Sequence, residues 1–237
     1  MIGARRLNMY KKYIFNLVLV FGVMGFLFTL ASCDSDNSTT AQDLDSATIR
    51  VQNLTVGQPF GPTVVIVHNS NYRLFENGEA ASEGLEALAE DAFTEPLVNE
   101  AEANPDVLQV FVGDGIPPLQ SGEVDIEFTP GFNQVSVAQM LTNTNDAFYA
   151  ARNLTIPASG STLVRVPAYD AGTEPDDENC ENIPGPACGG GRGAPTSNGL
   201  VYISNGVFGE VNGITTDLDN QSLYDWRNPV ADVSVSR

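Results

Sequence analysis

Basic side chains and the residues of common catalytic sites are scarce in this sequence. Its 237 residues include a single histidine, His68, and three cysteines, and no lysine follows Lys12. One histidine is too few for an ordinary zinc site, and no Gly-x-Ser-x-Gly motif supplies the nucleophile of a serine hydrolase. The glycine-rich run at 189–193 precedes no helical pattern, so it does not predict a phosphate-binding loop. We therefore expect a protein that is not an enzyme.

The charge of the chain is strongly one-sided. The formal net charge is -19, and four of the 11 basic residues, Arg5, Arg6, Lys11 and Lys12, precede an apolar run at 14–30. Without these four, seven basic and 30 acidic residues remain, a net charge of -23. Such a field repels nucleic acid and anionic lipid and attracts cations. Uniform acidity is also a common solubility adaptation, so only acids clustered at defined positions indicate a metal site.

The first 32 residues have the three parts of a secretory signal, a basic segment, an apolar run and small residues before a cleavage site. The end of this segment, Leu30-Ala31-Ser32-Cys33, resembles the lipobox of bacterial lipoproteins, which implies cleavage before Cys33 and lipidation of that cysteine. The alternative is a transmembrane anchor, because the apolar run is nearly long enough to span a bilayer. We expect a protein of the cell envelope, at its periplasmic face or surface, attached to the membrane only by lipid.

The other two cysteines, Cys180 and Cys188, lie eight positions apart in a loop rich in glycine and proline. Outside the cytosol, a disulfide that closes this loop is the expected state. A zinc site is the weaker alternative, because two thiols without a nearby histidine are too few ligands.

The remaining pattern is that of a mainly β protein. Residues 33–46 are polar and acidic and predict a flexible tether. Beyond them, 47–237 form one predicted domain of short runs, many alternating apolar and polar, separated by glycine, proline, asparagine and aspartate. We predict strands at 47–54, 63–68, 108–112, 124–128, 134–141, 162–166, 200–204 and 231–237. Two short helices interrupt them, the first capped by Ser82 and the second at 95–102. This order favours an antiparallel β-sandwich with a short helical insertion.

Several sequence blocks within 47–237 follow one another in a familiar order. They read NLTVGQP at 53–59, HNSNYRLF at 68–75, ASEGL at 81–85, NTNDAF at 143–148, PAYDAGTE at 167–174 and YDWRNPVA at 224–231. Together they resemble the spondin N-terminal domain of F-spondin, mindin and many bacterial secreted proteins. The resemblance implies an antiparallel sandwich similar to a C2 domain, with a calcium ion bound by loops at one end.

The resemblance also implies which side chains hold that ion. In the animal proteins one acidic ligand lies in an Asp-Trp-like turn and two lie in an Asp-Ala-Gly-Thr-Asp turn. Carried over by motif, these positions are Asp146, Asp170 and Glu174, with glutamate in place of the last aspartate. Calcium takes six to eight oxygen ligands in a forgiving geometry, and Gly172 permits a tight turn between two of the carboxylates. Asn143 and Asn145 could add amide oxygens.

Further acidic residues surround these positions. We interpret Asp176, Asp177 and Glu178 as the surface of a solvated loop. Asp217, Asp219 and Asp225 could ligate a second ion, but turn chemistry in a solvated loop is the favoured interpretation.

For the whole protein, three functions remain open at this point. The first is a calcium-binding, envelope-anchored binding or adhesion module for an extracellular or cell-surface ligand, either a glycan or a protein. The second is a hydrolase of surface polysaccharide, because acidic residues are plentiful enough to provide paired carboxylates. The third is a purely structural envelope lipoprotein. The first is favoured, because it is the function that the resemblance implies.

Lipidation at Cys33 is directly testable. Cells that express the protein should incorporate a palmitate analogue into it, and the Cys33→Ala variant should lose this label because it lacks the acylated thiol. Equal labelling of the two proteins would contradict the prediction.

Overall fold

The computed structural model describes residues 44–196, 199–207, 217–218 and 221–237. Two antiparallel sheets of four and six strands dominate this part of the chain. The strands are β1 (Asp45–Asn53), β2 (Thr63–His68), β3 (Val107–Gly113), β4 (Ser121–Phe128), β5 (Gln134–Met140), β6 (Ala147–Thr155), β7 (Ser161–Val166), β8 (Ala168–Asp170), β9 (Tyr202–Ile203) and β10 (Ala231–Ser236). The helices are α1 (Glu83–Asp91), α2 (Glu95–Glu102) and α3 (Gln221–Tyr224). The predicted β-sandwich is therefore confirmed.

The strand order brings distant parts of the chain together. The four-stranded sheet runs β4-β1-β10-β7, so the first and last strands of the domain pair along their length, from Asn53 beside Ala231 to Thr48 beside Ser236. The six-stranded sheet runs β3-β2-β5-β6-β8-β9. Its far edge, β6-β8-β9, carries the acidic residues discussed below.

Strand β2 is buried on both faces, which explains its unbroken apolar run. Val65 and Val67 point into the core between the two sheets, where they meet residues of both sheets. Val64 and Ile66 point the opposite way, into a second core beneath the helices. Successive side chains of a strand face opposite sides, so a strand that reads as continuously hydrophobic needs two covering layers.

Helices α1 and α2 supply that second layer. Helix α1 begins after Ser82, whose hydroxyl accepts a hydrogen bond from the Leu85 amide at 3.2 Å, as predicted for an N-cap. It ends at Ala92, which adopts a left-handed conformation with φ of 53°. Leu85 and Leu88 are completely buried in the second core. Within the described residues, no helix combines the length and apolar character needed to cross a bilayer.

Two strands of the six-stranded sheet were not predicted. Strand β6 reads AFYAARNLT, in which the alanines have low β-propensity and Arg152 and Asn153 break the apolar pattern. Asn153 lies at a positive φ of 55°, beside a shift in the pairing of β6 with β5. Strand β8 is only three residues long. Both strands are specified by their neighbours in the sheet rather than by a period of their own.

The helical layer should contribute measurably to stability. Leu88→Ala should lower the free energy of unfolding by about 2–5 kcal/mol, because it leaves a cavity under α1 where Leu88 is 0% exposed. Leu163→Ala is the matched control, since that leucine is 56% exposed on β7 and its loss should cost no more than about 0.5 kcal/mol. Urea denaturation of both variants measures the difference, and equal losses would contradict a structural role for the helical layer.

Candidate metal centre

The pairing of three neighbouring strands places acidic and phenolic side chains side by side. Asp146 directly precedes β6, and the next residue, Ala147, pairs with Asp170 at the end of β8. Asp170 in turn pairs with Tyr202 of β9. Asp146 lies in the turn between β5, which corresponds to the predicted strand at 134–141, and β6. The predicted convergence of Asp146 and Asp170 at one end of the sandwich follows from this register.

A tight turn after β8 brings the following residues back toward Asp146. Gly172 has a positive φ of 68°, and a Cβ atom there would lie 2.6 Å from the backbone nitrogen of Leu200. The next two residues donate to one oxygen of Asp146: the amides of Thr173 and Glu174 lie 2.7 and 3.0 Å from Oδ2, and the Thr173 hydroxyl lies 3.1 Å from it. These bonds hold the turn so that Asp176 approaches Asp146 and Asp170.

Asp146, Asp170 and Asp176 form a compact carboxylate group. One oxygen from each lies within 4.8 Å of the others. Asp146 and Asp170 are buried and Asp176 is half-buried. The Tyr202 hydroxyl bridges two of them, donating to Oδ2 of Asp170 at 2.8 Å with Oδ2 of Asp176 at 3.4 Å. Among the described residues, the Oδ1 atom of Asp146 is buried without a hydrogen-bond partner, which is costly unless a further group, such as a cation, contacts it.

Burial makes negative charge unfavourable throughout this group. It raises the pKa of Asp146 from 3.8 to about 6, and the charge of Asp170 adds to the effect. Burial also raises the pKa of Asp170, and the negative charge of Asp176 raises it further. Burial raises the pKa of Asp176 in the same way, and the negative charge of Asp146 adds to that shift. Three carboxylates that oppose one another's ionisation are stabilised together by a bound cation.

The donors in this group select for a hard cation. All are oxygens, from three carboxylates and a nearby phenol, and no thiol or imidazole belongs to the group that the described residues form. Oxygen donors suit calcium, magnesium or manganese rather than zinc or copper. The residues present therefore fit a hard divalent ion, and the chemistry of the donors by itself does not distinguish among these metals.

Glu174, the third ligand implied by the resemblance, faces a different set of residues. Its Oε1 accepts a hydrogen bond from the Gly193 amide, and its buried Oε2 has no hydrogen-bond partner among the described residues. Burial raises the pKa of Glu174 to about 8, and the nearby charge of Glu90 in α1 adds to this effect. Glu174 is not one of the three residues whose oxygens converge. Its role as a ligand remains a prediction.

Arg192 balances part of the charge on this side of the site. Its guanidinium contacts the buried Glu90, lies 3.2 Å from Asp91 and reaches to 3.7 Å from Glu86. The amide of the next residue, Gly193, donates a hydrogen bond to Glu174. Residues 192 and 193 therefore attach their loop to α1 and to the turn after β8. Helix α1 is thus connected to the turn after β8 through residues 192 and 193.

The structure corrects three of the interpretations made from the sequence. Asp176, assigned to a solvated surface, belongs to the carboxylate group. Asp177 is half-buried and accepts hydrogen bonds from the side chains of Asn145 and Asn182 at 3.0 and 2.7 Å, and Glu178 is buried. These residues are not loop surface, because the turn after β8 folds inward instead of projecting into solvent.

The predicted amide ligands have other partners. The side-chain oxygen of Asn145 accepts from the Glu178 amide at 3.3 Å, and that of Asn143 accepts from the Ala187 amide at 2.9 Å. Both asparagines are buried and tie the turn before β6 to the loop that follows β8. They support the geometry of the site through the backbone.

The second acidic patch does not converge in the described residues. Asp217 accepts a hydrogen bond from the Cys180 amide at 3.3 Å, whereas Asp225 accepts one from the Val207 amide at 3.3 Å. Asp219 and Cys33 lie outside the described residues. A second ion site is therefore not supported by the positions of Asp217 and Asp225, which each bind backbone in a different loop.

The remaining predicted residues have structural partners. Cys180 and Cys188 form a disulfide, as predicted. His68 is completely buried, with Nε2 at 2.9 Å from the Ser136 hydroxyl and Nδ1 at 2.7 Å from the Asn69 carbonyl, and burial lowers its pKa. It is the last residue of β2 and is not part of the carboxylate group.

Asp176 and Tyr202 are the site residues that sequence reasoning missed. In so acidic a chain, the pair Asp176-Asp177 carries no signal of its own, because either residue could face solvent. Tyr202 lies more than thirty positions from Asp170 along the chain and reaches it only through the pairing of β8 with β9. The apolar run of the predicted strand at 200–204 was the only available signal, and it could not identify the partner strand.

Comparison with known proteins identifies the family of this chain. The Spondin_N family model matches residues 53–176, just over half of the chain, a range that contains Asp146, Asp170 and Asp176. A comparison with curated proteins found no match. Spondin N-terminal domains are extracellular modules of the binding or adhesion type and are not enzymes, which favours a binding role over the hydrolase alternative. The chain belongs to the Spondin_N family, the spondin N-terminal domains.

Proposed function

We propose that this chain is a calcium-dependent binding module anchored in the cell envelope by lipid at Cys33. The observation that carries the proposal is the convergence of Asp146, Asp170 and Asp176, with one buried aspartate oxygen lacking a hydrogen-bond partner among the described residues. An extracellular family supports the location, and the lipobox-like segment supports the anchor.

Calcium suits this arrangement better than magnesium. The carboxylates come from two loops and a strand end, and calcium tolerates the irregular geometry that such a set produces. Magnesium requires a near-ideal octahedron and keeps several of its waters. When bound, the ion supplies positive charge that offsets the three carboxylates and joins the turn before β6 to the turn after β8.

The ion in turn organises the binding surface. Asp176 and Tyr202 line an open groove beside the carboxylate group, so the ligands of the ion and the walls of the groove are partly the same residues. In the absence of a cation, repulsion among the carboxylates would act directly on these walls. The ion therefore acts as a structural cofactor for a ligand-binding surface.

Calcium should raise the melting temperature of the folded domain. At a hundredfold excess over its dissociation constant, the gain in stability is about 2.7 kcal/mol. Asp170→Asn and Asp176→Asn should each remove most of the calcium-induced gain, because each deletes a charged ligand. The readout is the gain on adding calcium, since removing a buried charge can itself stabilise the protein without the ion. A thermal-shift titration with calcium and with magnesium measures it.

Two further variants sharpen this test. Asp114→Asn is the matched control, because Asp114 is exposed and distant from the carboxylate group in the pairing of the strands, so its response to calcium should equal that of the parent. Glu174→Gln decides whether the resemblance assigned that ligand correctly: a lost response makes Glu174 a ligand, and a retained response leaves the three aspartates. An undiminished response in Asp170→Asn and Asp176→Asn would contradict the proposed site.

The stability of the domain should depend on pH in opposite ways with and without the ion. In a chelator, the raised pKa values of Asp146, about 6, and Glu174, about 8, mean that the folded state holds more protons than the unfolded state above about pH 4. Their contribution is complete below that pH and is lost as pH rises through 6 and 8. With excess calcium, the ionised carboxylates are neutralised, so the calcium-induced gain in melting temperature should grow from pH 5 to pH 8. An equal gain at both pH values would contradict this linkage.

A further inference from the structure

We propose that the groove beside the carboxylate group binds a neutral oligosaccharide, with a pair of adjacent sugar hydroxyls completing the coordination of the calcium ion. This inference rests on the proposed function, because it needs the ion in place. The groove has a volume of about 780 Å³ and is lined by Glu174, Pro175, Asp176, Pro195, Leu200 and Tyr202, among others. That volume lies within the range of about 300–1,000 Å³ common for small-ligand sites.

The first argument is the number of ligands that the protein offers. Calcium takes six to eight oxygens. The described residues bring together three carboxylates, of which Asp146 is completely buried, while Asp176 is half-buried and also lines the groove. The unfilled coordination positions therefore face the groove on the Asp176 side, where a ligand from solvent can reach the ion.

The second argument concerns the charge of that ligand. None of the described residues that line the groove is basic, whereas Glu174 and Asp176 are acidic. Three carboxylates around one divalent ion leave an excess negative charge, and the whole chain has a net charge of -19. A phosphate, sulfate or carboxylate ligand would be repelled by this field. Hydroxyl groups coordinate calcium without adding charge, so an uncharged ligand rich in oxygen is favoured.

The third argument is the apolar surface beside the ion. The Tyr202 side chain is 41% exposed and Leu200 is 49% exposed, and both border the groove. Sugar rings present hydroxyls at their edges and C–H groups on their faces, and the faces pack against aromatic and aliphatic surfaces. The Tyr202 hydroxyl is already bonded to Asp170, which holds the ring beside the ion.

The fourth argument is the length of the groove. A second depression of about 540 Å³ shares Pro195, Thr196 and Leu200 with the first and continues toward Ala80, Ala81 and Glu86. A single sugar at the ion would occupy only part of the first depression and would leave the second one empty. The shared wall indicates an extended ligand, in which one sugar contacts the ion and the following sugars lie across Leu200.

An array of neutral mono- and oligosaccharides, probed with the intact domain in calcium and in chelator, tests this proposal. Binding should require calcium, strengthen from monosaccharide to trisaccharide, and disappear in Asp176→Asn. Leu200→Ala should keep the calcium-induced gain in melting temperature but weaken binding by about two- to tenfold, the range expected for losing one packing contact. Asp114→Asn should bind sugars as the parent does.

The outcomes separate this inference from the proposed function. If calcium raises the melting temperature but the calcium-loaded protein binds no sugar on the array, the oligosaccharide proposal is overturned and the metal site stands. Binding that persists in chelator, or preferential binding of sulfated or sialylated sugars, would also overturn it. If calcium leaves the melting temperature of the parent unchanged, the metal site itself is wrong.

Discussion

The hydrogen bonds to one oxygen of Asp146 determine the geometry of this end of the protein. Oδ2 of this buried side chain accepts from two consecutive backbone amides, those of Thr173 and Glu174, and from the Thr173 hydroxyl. A buried carboxylate can satisfy turn amides that would otherwise lack partners. The turn after β8 therefore folds inward over Asp146 and brings Asp176 to the same point. The second oxygen of Asp146 is buried and has no hydrogen-bond partner among the described residues.

The fold buries part of the carboxylate group and leaves part of it accessible to solvent. Strands β6, β8 and β9 form the far edge of the six-stranded sheet, with β9 only two residues long. Asp146 and Asp170 lie beneath the turn, whereas Tyr202 and Leu200 remain partly exposed. An ion bound at such a site would be held by the buried ligands and would face solvent beside the exposed ones. Arg192 forms ion pairs with helix α1 on the neighbouring side.

The helical insertion covers the outer face of the six-stranded sheet. Without α1 and α2, the outward side chains of β2, Val64 and Ile66, would lie on an exposed sheet face. With the helices in place, the sheet is covered on both faces, and its central strands can be apolar throughout. The same layer supplies Glu90, whose buried carboxylate contacts Arg192 near the turn after β8. The insertion thus contributes both to the core and to the electrostatics of the site.

Much of the architecture was predictable because local signals were strong. The apolar run of β2, the alternation in β1 and β10, the cap at Ser82 and the short spacing of Cys180 and Cys188 each depend on neighbours in sequence. Strand β6 escaped prediction because its alanines and its Arg152-Asn153 pair resemble neither an alternating strand nor a helix. Its place between β5 and β8 makes it a strand through tertiary pairing, which overrides weak intrinsic preference.

By itself, the sequence determined the class of fold, the disulfide, the family motifs and the candidate aspartates Asp146 and Asp170, because these depend on periodicity, spacing or short motifs. Tertiary structure alone decided that Asp176 rather than Glu174 approaches them and that Tyr202 lies beside them. The physical reason is that the local sequence of a turn does not determine whether an acidic side chain faces solvent or the interior. Its direction is set by the amides and strands that fold against it, and those come from distant parts of the sequence.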